Sequence, residues 1–136
     1  MSYLVDANVL CEATRPTADP KVLDWLEGHD AELYVSVITL GEISKGIQLL
    51  PRSKKRNLLE TWFRELDSGF AERVLPVDKA VVTAWARLYA VNQKAGRLLP
   101  SFDSLLAATA QHHGLIIATR NAGDFPPEVK LANPWE

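Results

Sequence analysis

Short β-rich runs that alternate with stripes of helical period constrain this chain more than any other feature. The runs are YLVD at 3–6, Leu33 to Val37 and LIIAT at 115–119. Each is too short for a buried helix and suits a strand. Between them the apolar residues recur every three or four positions: Val22, Leu23 and Leu26, then Leu40, Ile43, Ile47 and Leu50, then Leu58, Leu59, Trp62, Phe63 and Leu66. Val81, Val82, Trp85, Leu88, Tyr89 and Asn92 make a further stripe. Strands separated by helices give a mainly parallel central sheet covered on both faces, so the expected fold is a three-layer α/β/α domain. Turn residues supply the stops, with Pro51, Gly69 and Gly96 ending three helices. The helix from Ser101 to His113 opens after Pro100 and ends at Gly114, with His112 and His113 suited to its negative end. ERVLPVD and VKL supply two more brief strands, and the two helices flanking Pro51 should pair as an αα-hairpin. No repeat or linker divides residues 1–136, so one domain is expected.

Composition limits what such a domain can do. With 47% apolar and 24% charged residues it has material for a core without staples. Cys11 is the single cysteine, which excludes an internal disulfide and a thiolate zinc cluster and fits a reducing, cytoplasmic setting. A lone cysteine without a nucleophile signature is expected to be packing. No run approaches the roughly 20 apolar residues of a membrane span. The formal charge of −2 argues against a broad basic face that coats nucleic acid. It does not argue against a nuclease, because acids that gather around divalent cations reverse the sign of their pocket.

Four acids fall where an open α/β sheet collects functional groups, beyond the carboxyl ends of strands. Asp6 ends the first strand, Glu42 lies in the first turns of the helix after the second, Asp103 in the first turn of the helix from Ser101, and Asp124 in the loop after LIIAT. Carboxylates brought that close repel unless a cation offsets them, and hard oxygens suit Mg²⁺ or Mn²⁺. Each also has a structural reading. Asp6 can cap a helix, Thr39 and Glu42 have the T-x-x-E spacing of a capping box, Asp103 favours a helix dipole, and Asp124 occupies a turn.

The segments LVDANVL, VSVITLGEISKGI, PSFDSLLAATAQHHGLIIATRNAGDF and the closing NPW resemble the PIN domain, specifically the VapC-type toxins and their FitB-like branch. The pieces occur in order over essentially the whole chain. The resemblance implies a ribonuclease that cuts RNA phosphodiester bonds with Mg²⁺ or Mn²⁺, with Asp6, Glu42 and Asp103 as metal-binding carboxylates. TRNAGDF falls on the segment that supplies a fourth polar ligand, Asp124 in preference to Asn121, and Asn8, Thr119 and otherwise Asn121 fall on positions that orient the acids. Held ions would lower the pKa of a water, place it in line and neutralise the leaving oxygen.

The same resemblance implies partners. An antitoxin segment is expected in an apolar groove, with the helices between Ile38 and Leu66 as its candidate walls, and homodimers and toxin–antitoxin hetero-oligomers are expected. RNA backbone would be gripped by basic residues: Arg52, Lys54, Lys55 and Arg56 in PRSKKR, and Arg15 and Arg120 nearer the acids. PRSKKR reads equally as a solvated helix start, and either arginine as a surface ion pair. Two readings from other classes compete. A phospho-acceptor receiver domain lacks its acidic pair and its lysine here. A catalytically inactive PIN fold used only for binding would have lost the carboxylates that this chain keeps.

Overall fold

In the computed structural model, which describes residues 1–136, β1 (Tyr3–Val5) is the middle strand of a five-stranded sheet. β2 (Leu33–Ser36) and β3 (Val74–Leu75) lie on one side of it, β4 (Ile116–Ala118) and β5 (Leu131–Ala132) on the other. Every neighbouring pair is parallel, which makes the sheet wholly rather than mainly so. The register sets Val5 opposite Ala118.

Six helices cover the sheet: α1 (Ala7–Cys11), α2 (Pro20–Gly28), α3 (Val37–Gln48), α4 (Lys54–Phe70), α5 (Lys79–Lys94) and α6 (Ser101–His113). Alternation along the strands divides the core in two. Leu4 and Ile117 pack with Val81, Leu88 and Leu106 from α5 and α6. Val5, Leu33 and Val35 face the opposite way, onto Val9, Val22, Ile43 and Phe70 from α1 to α4. A parallel sheet needs both layers, because each of its faces is apolar. The αα-hairpin on either side of Pro51 forms as expected, from α3 and α4.

The helix starts follow capping chemistry. Asp6, Asp19, Ser36, Ser53 and Asp78 each accept a hydrogen bond from a backbone N–H of the helix they precede. Three local expectations change. α1 is too short for a periodic stripe to reveal. Thr39 lies inside α3, since Ser36 takes the cap with Oγ accepting from the Ile38 N–H at 3.0 Å, so the T-x-x-E box does not form. α4 runs through Gly69 to Phe70 and stops at Ala71, whose φ is 49°. A helical glycine costs about 1 kcal/mol against alanine, and burying a phenylalanine returns about 2 to 3 kcal/mol, so extending the helix to seat Phe70 wins.

Candidate active site at the carboxyl end of the sheet

The chain leaves β1 toward β2 and leaves β4 toward β5, so the carboxyl ends of β1 and β4 diverge at the topological switch point of the sheet. The next residues there are Asp6 and Thr119. The Asp6 N–H continues the ladder to the Ala118 carbonyl at 2.9 Å. Its carboxylate is 8% exposed and takes three donors: the Ala7 N–H on Oδ1 at 2.8 Å, then Asn8 Nδ2 at 3.1 Å and Thr119 Oγ1 at 2.8 Å on Oδ2. Asp6 therefore both caps α1 and sits in a network whose donors hold one carboxylate orientation. Asn8 Oδ1 in turn accepts from the Arg120 N–H at 3.2 Å, and the Asn121 N–H donates to Thr119 Oγ1 at 3.0 Å. Asn121 is exposed, and its main chain, not its side chain, joins the network.

The other acids converge on this point from both layers. Glu42 comes from α3 and Asp103 from the first turn of α6, both half-buried, while Asp124 ends the exposed turn Ala122–Asp124. Burial, then the charges of Asp6, Asp124 and Glu42, push the Asp103 carboxyl up to about 6. Burial first and the Asp6 charge second also raise Glu42, against a smaller opposing effect of Lys45. Asp103 thus lies within the fields of the other three acids, and Glu42 within that of Asp6.

The walls exclude one chemistry and suggest another. Burial, then the Asp6 charge, raises the Cys11 thiol, which keeps it protonated and unsuited to act as a nucleophile. Beside the acids an open groove of about 310 Å³ runs between α1, α3 and α4. Ala7, Ile43, Ile47, Leu59 and Trp62 line it, and Glu42 forms part of its wall.

The basic residues differ in availability. Arg56 is occupied within the chain: Nε meets Glu60 Oε1 at 3.2 Å and Nη1 donates to the Leu50 carbonyl at 3.0 Å. Arg52, Lys54 and Lys55 are exposed and form no ion pair. Arg15 Nη1 meets Glu12 Oε1 at 3.1 Å, and Arg120 lies over the Trp135 ring at 4.7 Å. Glu12 was not among the residues singled out from sequence. Its spacing to Arg15, one helical turn, was the available signal, but only the fold reveals a carboxylate 3% exposed. No helix of the chain is long and apolar enough to cross a membrane.

Comparisons with known proteins place this geometry in context. Residues 3–126 match the PIN domain family. A VapC ribonuclease, Y4jK, of Sinorhizobium fredii is 33% identical over 136 residues, covering 98% of this chain and 97% of that protein. The crystal structure of FitAcB from Neisseria gonorrhoeae superimposes with a TM-score of 0.92 at 34% identity over 98% of both chains. A toxin–antitoxin complex from Klebsiella pneumoniae superimposes at 0.72 and 26% identity over 99% of both.

Proposed function

This chain belongs to the PIN domain family, and from that premise we infer that it is an endoribonuclease toxin of the VapC group, neutralised by a cognate antitoxin. The observation that carries the reading is the Asp6 carboxylate, fixed by Asn8 and Thr119 at the sheet's switch point, where its charge reaches both Glu42 and Asp103. A cap alone does not account for it: capping uses Oδ1 only, and two side-chain donors are spent on the second oxygen.

Metal dependence is the finer part of the proposal. The donors are hard carboxylate oxygens, and Asp103 carries the cost of burial first and then of three neighbouring charges, which a divalent cation would offset. Such oxygens suit Mg²⁺ or Mn²⁺, and Mg²⁺ takes one or two carboxylates directly while keeping several of its waters. Asp6, Glu42 and Asp103 would hold the cation, directly or through those waters, with Asp124 at the open side and Asn121 as the other candidate there. When bound, it supplies Lewis-acid polarisation of the phosphodiester and a water of lowered pKa.

The chain's own residues do the rest. Asn8 and Thr119 orient Asp6, the Asn121 N–H orients Thr119, and Arg15 and Arg120 grip phosphate beside the acids. Arg52, Lys54 and Lys55 extend the grip along the RNA backbone. An apolar segment of the antitoxin would occupy the groove between α1, α3 and α4 and so reach Glu42, and the domain spanning residues 1–136 would act as a homodimer within the complex.

Incubation of the purified protein with transfer RNA and other structured RNAs in Mg²⁺ or Mn²⁺ tests the reading, with EDTA and Asp6→Asn as controls. Cleavage that both controls abolish supports it. Wild-type protein that folds, takes up no metal and leaves every RNA intact would replace it with a binding module.

A further inference from the structure

Glu12 is a buried acid that is not one of the four at the carboxyl end of the sheet. Its Oε2 accepts from the Asp19 N–H at 2.8 Å and its Oε1 from Arg15 Nη1 at 3.1 Å, so it closes the loop between α1 and α2 and holds one guanidinium. The Asp19 amide first, then Arg15 and more distantly Arg120, hold its carboxyl below the usual range. Arg15 thus touches this carboxylate, and the charge of Arg120 reaches it although 105 positions separate the two arginines in sequence.

Arg120 is fixed from the other side. Its main-chain N–H donates to Asn8, which bonds Asp6, and this ties the residue to the acid site through a single side chain. Its guanidinium lies over the Trp135 indole at 4.7 Å and makes no hydrogen bond within the chain, leaving all its donors free. Trp135 is itself held: its main-chain N–H donates to Asn133 Oδ1 at 2.9 Å and its ring packs against the core of the α1–α4 layer. Arg15 spends one of its donors on Glu12 and keeps a side chain 54% exposed. Glu12 offsets one of the two positive charges and leaves the donors of Arg120 unengaged.

Resting on the ribonuclease reading, we propose that Glu12 and Trp135 are positioning residues that set Arg15 and Arg120 as a two-point clamp on one backbone phosphate beside the acid site. Each arginine meets the anion with donors that its holder leaves free. The pre-set geometry lowers the side-chain entropy lost when RNA binds.

The experiment measures anisotropy of a labelled single-stranded RNA in EDTA across a KCl series, then steady-state cleavage with Mn²⁺, with melting curves to establish folding. Arg15→Ala and Arg120→Ala should each flatten the plot of log affinity against log salt by about 0.7, the value for one phosphate contact on a single strand. Both should raise KM several-fold more than they lower kcat. Lys130→Ala, at the opposite end of the sheet, should leave the slope unchanged. Glu12→Gln adds a net positive charge and Trp135→Leu changes none, yet both should raise KM, and Trp135→Tyr should restore it.

Slopes and KM for both arginine variants equal to those of Lys130→Ala overturn the clamp. Tighter or unchanged RNA binding by folded Glu12→Gln and Trp135→Leu overturns the positioning role. Wild type that binds RNA but never cuts it overturns the ribonuclease reading alone, because the slopes still judge the clamp. Wild type that binds no RNA overturns both.

Discussion

Thr119 Oγ1 donates to Asp6 Oδ2 at 2.8 Å across 113 positions of sequence, and both side chains are buried at the point where β1 and β4 part. Thr119→Val keeps the shape and removes that donor, leaving the carboxylate oxygen with Asn8 alone. Loss of one hydrogen bond to a buried charged group is expected to cost about 1 to 3 kcal/mol in urea unfolding. Loss of orientation is expected to lower RNA cleavage by roughly 10- to 100-fold. Full activity in the variant would show that Asp6 needs no such support.

Asp103 makes the metal-free protein sensitive to pH. Its carboxyl, pushed up to about 6, holds its proton more tightly in the folded chain than in the unfolded one. The stabilising contribution is therefore complete below the unfolded value, about 3.9, and is lost as pH rises through about 6. Above that, the charged form is a cost, reduced by partial exposure to about 1 kcal/mol. Asp103→Asn should unfold at higher urea than wild type at pH 8 in EDTA, with the difference gone near pH 4. A pH-independent gap would remove this group as its source.

Cation binding should run against the same proton. Mg²⁺ or Mn²⁺ is expected to raise the melting temperature at pH 8, and the apparent affinity should fall as pH drops through 6, because protons compete for the ligand oxygens. Calorimetric titration at pH 5.5 and pH 8 checks this. Equal affinity at both would place the cation elsewhere.

Thr39 offers a test of stability alone. Its Oγ1 is buried without a hydrogen-bond partner in the body of α3. A hydroxyl left unsatisfied costs roughly 1 to 3 kcal/mol, so Thr39→Val should match wild type or exceed it by about 1 kcal/mol in urea unfolding. Clear destabilisation would mean that the hydroxyl bonds a water held in the core.

Gly46 sits in α3 on the groove wall, with open space where a Cβ would project. Gly46→Gln should strengthen the helix by about 0.5 to 1 kcal/mol while narrowing the groove. Affinity for the cognate antitoxin's groove-binding segment, measured by calorimetry, should fall at least tenfold. Unchanged affinity would move the segment to another surface.

Much of this site was readable before any coordinates. Short apolar runs located β1, β2 and β4, helical periodicity located α2 to α5, end signals located α6, and switch-point logic drew Asp6, Glu42, Asp103 and Asp124 to one end. Contacts that depend on register were not readable: the pairing of Val5 with Ala118 is what sets Thr119 beside Asp6. Arg56 looked free because a charge run carries no sign of the Leu50 carbonyl and Glu60 that occupy it. The Glu12 burial and the Arg120–Trp135 stack arise from loops folding back, which no local pattern encodes.

The sheet has two separate apolar faces, and the acids are divided between the layers that cover them: Glu42 rides on α3 on one face, Asp103 on α6 on the other, and Asp6 closes the strand between. A chain with only one layer docked therefore holds only part of the constellation. Assembly of the acids is thus a readout of complete folding, since a partly made or partly melted chain would lack a wall of its own site.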